Sequence, residues 1–233
     1  MKLAIMQPYF FSYIGYWQLI HVADRFVIYD DVNYIKGGWI NRNRILINGE
    51  PTYITVPLQQ PSPYKRICDT SLQPLSIWRD KLVKMVETTY RKAPFFAEVY
   101  PLIEKLIRHE ADNLSNYLSY QLQAMASFMG INTGFVVTSR CYENNDLSGQ
   151  ARILDICKRE GATAYINPQG GQALYERTAF TQYGMDLQFL IPSAIKYKQF
   201  GTTHVLSLSI IDVMMFNSKS QLRMLLNKYE LVS

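Results

Sequence analysis

Met6-Gln7-Pro8-Tyr9-Phe10-Phe11-Ser12-Tyr13-Ile14-Gly15-Tyr16 decides how this chain is read. The apolar run before it, Leu3-Ala4-Ile5-Met6, has the length of a strand and stops just short of a proline, which has no N–H to give to a ladder. An aromatic loop follows, and the pattern then predicts an amphipathic helix from about Tyr13 to Ala23. A second apolar run, Phe26-Val27-Ile28-Tyr29, ends in two adjacent carboxylates, Asp30 and Asp31. Strand, helix and strand within about thirty residues make a βαβ unit, and such units bind ligands at the carboxyl ends of their strands.

Working outward, Val32 to Trp39 reads as a loop, with Lys36 and Trp39 on it as ligand candidates. Asn41 to Ile47 and Thr52 to Val56 are β-rich runs around Asn48-Gly49, a pair suited to the positive φ of a tight hairpin. From about Leu75 to His109 the spacing turns helical, with Trp78, Leu82, Met85, Val86 and Thr89 on one face and a break at Ala93-Pro94. A second helix runs from Phe95 to about Arg108, and a third from Leu114 to Met129 opens near Asn113 and stops at Gly130. The α/β pattern then resumes: a strand at Gly134–Val137, a helix capped by Ser148 and closed by Gly161, and strands at Ala164–Ile166 and Leu187–Leu190. A loop and helix are expected over Leu206–Phe216 and a last helix over Ser220–Tyr229. The expectation is one α/β domain over residues 1–233. Its sheet is mostly parallel and Rossmann-like or nucleotidylyltransferase-like, with a β-hairpin and a helical middle section at about 74–130.

Composition narrows the function classes. Of 233 residues 48% are hydrophobic, and no apolar run approaches the roughly 20 residues of a membrane span. Gln-Pro-Tyr interrupts any signal-peptide core. Cys68, Cys141 and Cys157 have neither disulfide nor zinc spacing, which suits a reducing cytoplasm, and no metal site is expected. A net charge of +5 without a polybasic run fits an anionic small molecule at least as well as nucleic acid, and no DNA partner is expected. Seventeen tyrosines suit ring-shaped polar ligands as well as core packing.

Four places could carry chemistry. Tyr13-Ile14-Gly15-Tyr16 stands where nucleotidylyltransferase-type proteins carry His-x-Gly-His, and the glycine there lets a nucleotide approach the backbone. With Tyr at both histidine positions, the site can donate hydrogen bonds but supplies no cation at neutral pH. Asp30 and Asp31 should point to opposite sides of the strand, with Asp31 favoured as a general base. Trp39-Ile40-Asn41-Arg42-Asn43-Arg44 puts two amides on one face and two guanidiniums on the other, one face for a polar ligand and one for a phosphate, or simply a charged edge. Asn167-Pro168-Gln169-Gly170-Gly171, with Tyr175 beyond it, follows a strand and allows close backbone approach to an anion. His204, before Ser207, Ser209 and Asp212, is the best histidine candidate. No nucleophile elbow surrounds these residues, which excludes a serine hydrolase.

The stretches Met6–Phe11, Tyr13–Tyr16, Phe26–Val32, Trp39–Ile45, Asn167–Gly171 with Tyr175, and Leu208–Asp212 together resemble the WbqC-like family. Ser12 departs from that resemblance, which leads one to expect Pro after Phe11. The resemblance implies a role in bacterial surface polysaccharide such as O-antigen: attaching glycine, or a related acyl group, to an amino sugar. On that basis Asp31 is the base and Gln7, Asn41 and Asn43 are hydrogen-bond donors. Arg42 or Arg44 with Gly170-Gly171 would hold the nucleotide phosphates, and Tyr9, Tyr13 and Tyr16 would pack on sugar or base. The implied partners are a nucleotide-activated amino sugar and an activated glycine donor (aminoacyl-tRNA, a carrier thioester or ATP-activated glycine), with a homodimer allowed. Two alternatives stand beside it: an adenylate-forming or nucleotidyl-transfer enzyme with ATP at the first strand–helix loop, and a non-catalytic partner that binds sugar nucleotide.

Overall fold

A computed structural model describes residues 1–74 and 77–233. The chain begins with β1 (Lys2–Met6), α1 (Ile14–Val22) and β2 (Arg25–Ile28), the βαβ unit read from the sequence. The hairpin follows as β3 (Arg42–Ile47) and β4 (Glu50–Thr55), turning through Asn48 (φ 51°) and Gly49 (φ 83°). Both centres have positive φ, the reason Asn-Gly serves there. The helical section is α2 (Ile77–Tyr90), α3 (Phe96–Arg108) and α4 (Leu114–Met129). The expected start of its first helix at Leu75 lies outside the described residues. Its buried stripe is Arg79, Leu82, Val83, Val86 and Tyr90, rotated from the expected Trp78–Thr89 face. Asn113 caps α4 by accepting a hydrogen bond from the N–H of Asn116 (2.9 Å), and Gly130 (φ 73°) ends it.

The second half contributes β5 (Gly134–Val136), α5 (Gly149–Arg159), β6 (Ala164–Pro168), α6 (Arg177–Thr181) and β7 (Asp186–Pro192). It closes with α7 (Ile210–Phe216), α8 (Lys219–Leu226) and β8 (Tyr229–Val232). Six strands form one sheet in the order β5-β2-β1-β6-β7-β8, parallel except for β8, and the hairpin is a separate sheet. The fold is a Rossmann-like mixed α/β architecture. The last residues correct the expected helix through Tyr229: α8 ends at Leu226, and the tail becomes an antiparallel edge strand. Tyr229 and Leu231 pack on one core and Val232 on the other, the alternation of a strand.

The same alternation organises the sheet. Leu3, Ile5, Val27, Tyr165, Leu187 and Phe189 face α5 and α6 on one side. Ala4, Phe26, Ile28, Ile166 and Leu190 face α1, α4, α7 and α8 on the other. With both faces covered, nearly every strand residue is apolar, and each fully buried Ile, Leu or Phe contributes roughly 1.5–3 kcal/mol. No helix among the described residues is long and apolar enough to cross a membrane.

Candidate functional site

From β1 the chain moves to β2 on one side, and it later returns to place β6 on the other. That makes the crevice beyond the carboxyl ends of β1 and β6 the topological switch point, where open α/β sheets bind ligands. A cavity of about 680 Å³ lies there. Gln7 enters from the end of β1, Tyr29 from the end of β2, and Asn33 from the following loop. Gly149 and Gln150 enter from α5, and Asn167, Gly170, Gly171 and Tyr175 from the segment after β6. Gln7 and the Asn167–Gly171 segment therefore share one cavity, although some 160 residues separate them.

The far wall depends on tight local packing. The Asn167 Nδ2 donates to the Tyr165 hydroxyl (2.6 Å), which lies 3.2 Å from the Tyr175 hydroxyl. A Cβ at Gly171 would run into the Asn167 side-chain oxygen, so glycine is what lets that amide fold back here. Beside Gly170, by contrast, nothing lies within 4 Å of where a Cβ would sit, and that backbone is open. Burial raises the Tyr175 phenol above its usual range.

Beside it stands the first turn of α5, where the Gln150 side-chain oxygen accepts from the Glu176 N–H. Ser148 occupies its N-cap position in extended conformation, but its side chain makes no capping bond, which corrects the expectation from the sequence. Among the described residues no side chain accepts from the N–H groups of that turn, where Gly149 and Gln150 border the cavity. Unfilled N–H groups and the helix dipole favour an anion. No Lys or Arg is among the residues that line this cavity.

Asp30 and Asp31 lie in a different setting. Both are buried. The Asp30 carboxylate accepts from the hydroxyls of Ser115 (2.5 Å) and Thr138 (2.9 Å) and from the N–H of Ser139 (2.9 Å). Asp31 pairs with Arg152 (2.6 Å), the two side chains only 0% and 4% exposed. The Ser139 hydroxyl touches both carboxylates. The two carboxylates diverge, Asp30 toward Ser115 of α4 on one side of the sheet and Asp31 toward Arg152 of α5 on the other, and the Ser139 hydroxyl lies between them. Neither carboxylate lines the cavity. Their link to it is indirect: Arg152 lies 4.9 Å from the ring centroid of Tyr29, which does line it. Burial raises the Tyr29 phenol, and Arg152 pulls it back in part.

The remaining candidates are placed as follows. Tyr16 is buried, and its hydroxyl donates to the Gln7 carbonyl (2.8 Å), fixing the loop that carries Gln7. The Tyr13 ring lies where a Gly15 Cβ would sit, so the space expected to admit a nucleotide is filled by the protein's own side chain. Asn43 donates to the carbonyls of Phe10 (3.1 Å) and Phe11 (3.0 Å), and Asn41 donates to that of Val56 (2.8 Å) and accepts from Tyr34 (2.7 Å). These amides clamp the hairpin to the first loop. Arg42 stacks 4.5 Å from Tyr53, and Arg44 lies 5.7 Å from Trp39, on the hairpin's outer face; Lys36 is exposed nearby. Tyr9 packs on Tyr16 (5.3 Å between centroids) and lines a smaller cavity with Tyr13 and Trp39. His204 Nε2 sits 3.1 Å from the Ile195 carbonyl, in a third cavity that also includes Tyr13.

The sequence did not single out Tyr29, Asn33, Gln150, Ser139 or Arg152. Tyr29 had a signal, its position at the strand's end. Ser139 and Arg152 had none, since they meet Asp31 across 108 and 121 residues.

Two comparisons give positive matches to these residues. The chain is 28% identical over 215 residues to the uncharacterized protein Rv1507c of Mycobacterium tuberculosis (strain ATCC 25618 / H37Rv), covering 91% of this chain and 92% of that protein. No solved structure matches. The WbqC-like protein family matches residues 7–224, a span that contains the crevice, the sealed carboxylates and the hairpin. The chain belongs to the WbqC-like protein family.

Proposed function

We propose that this protein holds a nucleotide-linked amino sugar in the crevice between β1 and β6 and transfers an aminoacyl group, glycyl, to the sugar's amine, as a step in making bacterial surface polysaccharide. One observation carries the binding half. An uncapped helical first turn and the open backbone at Gly170 border a switch-point cavity that no cationic side chain lines. Such a site takes phosphate on backbone N–H groups, while Gln7, Asn33, Gln150 and Asn167 supply neutral donors and acceptors for sugar and base.

In the transfer, the amine attacks the carbonyl of activated glycine. The new C–N bond forms as the bond to the leaving oxygen or sulfur breaks, and the amine's surplus proton ends on that leaving atom. Neutral amides near the carbonyl would stabilise the developing oxyanion. Asp31 then acts as a positioning residue: it holds Arg152 against Tyr29 and does not itself meet the substrate.

A second reading has its own support. Both carboxylates are sealed and His204 lies in another cavity, so no carboxylate or imidazole lines the crevice. That fits a partner that binds sugar nucleotide without turning it over. The nucleotidyl-transfer reading is less favoured, because Tyr13 fills the space over Gly15. The test combines calorimetry with a uridine diphosphate amino sugar and mass spectrometry with glycyl-tRNA, a glycyl thioester, or glycine with ATP as donor. The enzyme reading expects binding and a product heavier by one glycyl group with one donor. Binding without product from any donor selects the partner reading, and absence of binding overturns both.

A further inference from the structure

We infer that the small cavity walled by Tyr9, Tyr13 and Trp39 is a seat for a saccharide ring, with Ser12 as its specificity-determining residue; which saccharide arrives there rests on the sugar-nucleotide reading above. The cavity is about 290 Å³, at the small end of ligand pockets, and Asn43 and Ser207 complete its lining. Aromatic faces offer apolar surface to the C–H side of a sugar ring, and Trp39 is 41% exposed, open to a ligand.

Ser12 also lines this cavity. It is 1% exposed, and its Oγ has no hydrogen-bond partner among the described residues. A buried hydroxyl without a partner destabilises a protein, so a polar group on a ligand is the natural complement. The Ser12 N–H likewise donates to nothing among the described residues, so proline, the residue expected here by resemblance, would cost no hydrogen bond. What serine adds at this place is the hydroxyl alone.

The loop around it is held against its own preferences. Phe11 has φ 39°, unusual for a bulky residue. Three distant side chains keep it there: Gln121 accepts from its N–H (2.9 Å), while Asn43 (3.0 Å) and Ser209 (2.8 Å) donate to its carbonyl. Ser207, on the opposite lip, also has positive φ (56°). Strained backbone persists where the surroundings over-determine it, and ligand clamps are where it collects. This cavity and the crevice lie on either side of Pro8. Gln7 lines one and Tyr9 the other, at most about 7 Å apart along the chain, so one sugar nucleotide could reach both.

The test follows the Trp39 indole N–H resonance, assigned with Trp39→Phe, while free glucosamine, uridine diphosphate and uridine diphosphate glucosamine are added separately. The two saccharide probes are expected to shift it. Ser12→Ala should bind the sugar nucleotide about tenfold more weakly. It should bind uridine diphosphate as wild type does and melt no lower than wild type. A Trp39 resonance that ignores both saccharides, or full affinity in Ser12→Ala, overturns the seat. If uridine diphosphate fails to bind while glucosamine still moves Trp39, the crevice reading falls and the seat stands.

Discussion

At the carboxyl ends of neighbouring strands stand two polar clusters built in opposite ways. Beyond β2, the charged Asp30, Asp31 and Arg152 and the neutral Ser139 are buried and bonded to one another. Beyond β1 and β6, Gln7, Gln150, Asn167 and the Gly170-Gly171 backbone are neutral and border open space. The more charged cluster looks like the chemistry when only residue types are known. The structure gives it the work of a frame, tying β2 to the segment after β5 and to α5. The cluster of ordinary amides and glycines is the one that borders the cavity. A strand end with ionised groups is therefore weak evidence of catalysis until their partners are known.

The largest predicted effect breaks the sealed cluster. Arg152→Met leaves Asp31 buried without its cation and should cost about 3–5 kcal/mol in urea unfolding. The double change Arg152→Met with Asp31→Asn should recover most of that loss, because no uncompensated charge remains. If Arg152→Met alone costs no more than a surface substitution, the cluster is wet and Asp31 is free to meet a substrate.

A smaller effect tests the open side with two neighbouring glycines. Gly171→Ala must push the Asn167 amide aside and should cost about 1–3 kcal/mol, as overpacking does. Gly170→Ala meets nothing and should change stability by less than about 0.5 kcal/mol. Its methyl group instead enters ligand space, so calorimetry should show weaker uridine diphosphate binding in a protein of unchanged stability. Normal binding by Gly170→Ala would move the phosphate site away from this backbone.

The same contrast explains what the sequence revealed. The first βαβ unit, the Asn48-Gly49 turn, and the Asn113 and Gly130 ends of α4 rest on local chemistry, and they are legible one residue at a time. That Gln7 and Asn167–Gly171 lie beside one another is legible because strand ends in a parallel sheet share one edge. The edge strand β8 is not, since only its partner β7 makes Tyr229–Val232 extended. Nor is the Asp30–Asp31–Ser139 junction, because Ser139 comes to Asp31 from 108 residues further along the chain. Ser148 shows a residue of the right type in the right place that leaves its cap unmade, a detail visible only in side-chain geometry.

The smallest effect asks what sealing costs without a cation. Asp212, in the first turn of α7, is buried like Asp31 but accepts hydrogen bonds from the phenols of Tyr90 (2.8 Å) and Tyr197 (2.7 Å) in place of a guanidinium. Burial raises its carboxyl above the ordinary value of 3.8, while those phenols, Gln199 and the nearby His204 pull the other way. Its folded form thus holds the proton more tightly than the unfolded chain does. Asp212 contributes its full share of stability below the unfolded value, and that share is lost as pH rises through the raised one. Asp212→Asn keeps an acceptor oxygen for the phenols and removes the titration. The melting temperature of wild type minus that of Asp212→Asn should therefore fall as pH climbs from about 3.8, then level off once Asp212 is ionised in both states. A difference that stays flat across that range, or rises with pH, would show that folding does not tighten the hold of Asp212 on its proton and that the phenols and Gln199 offset its burial in full.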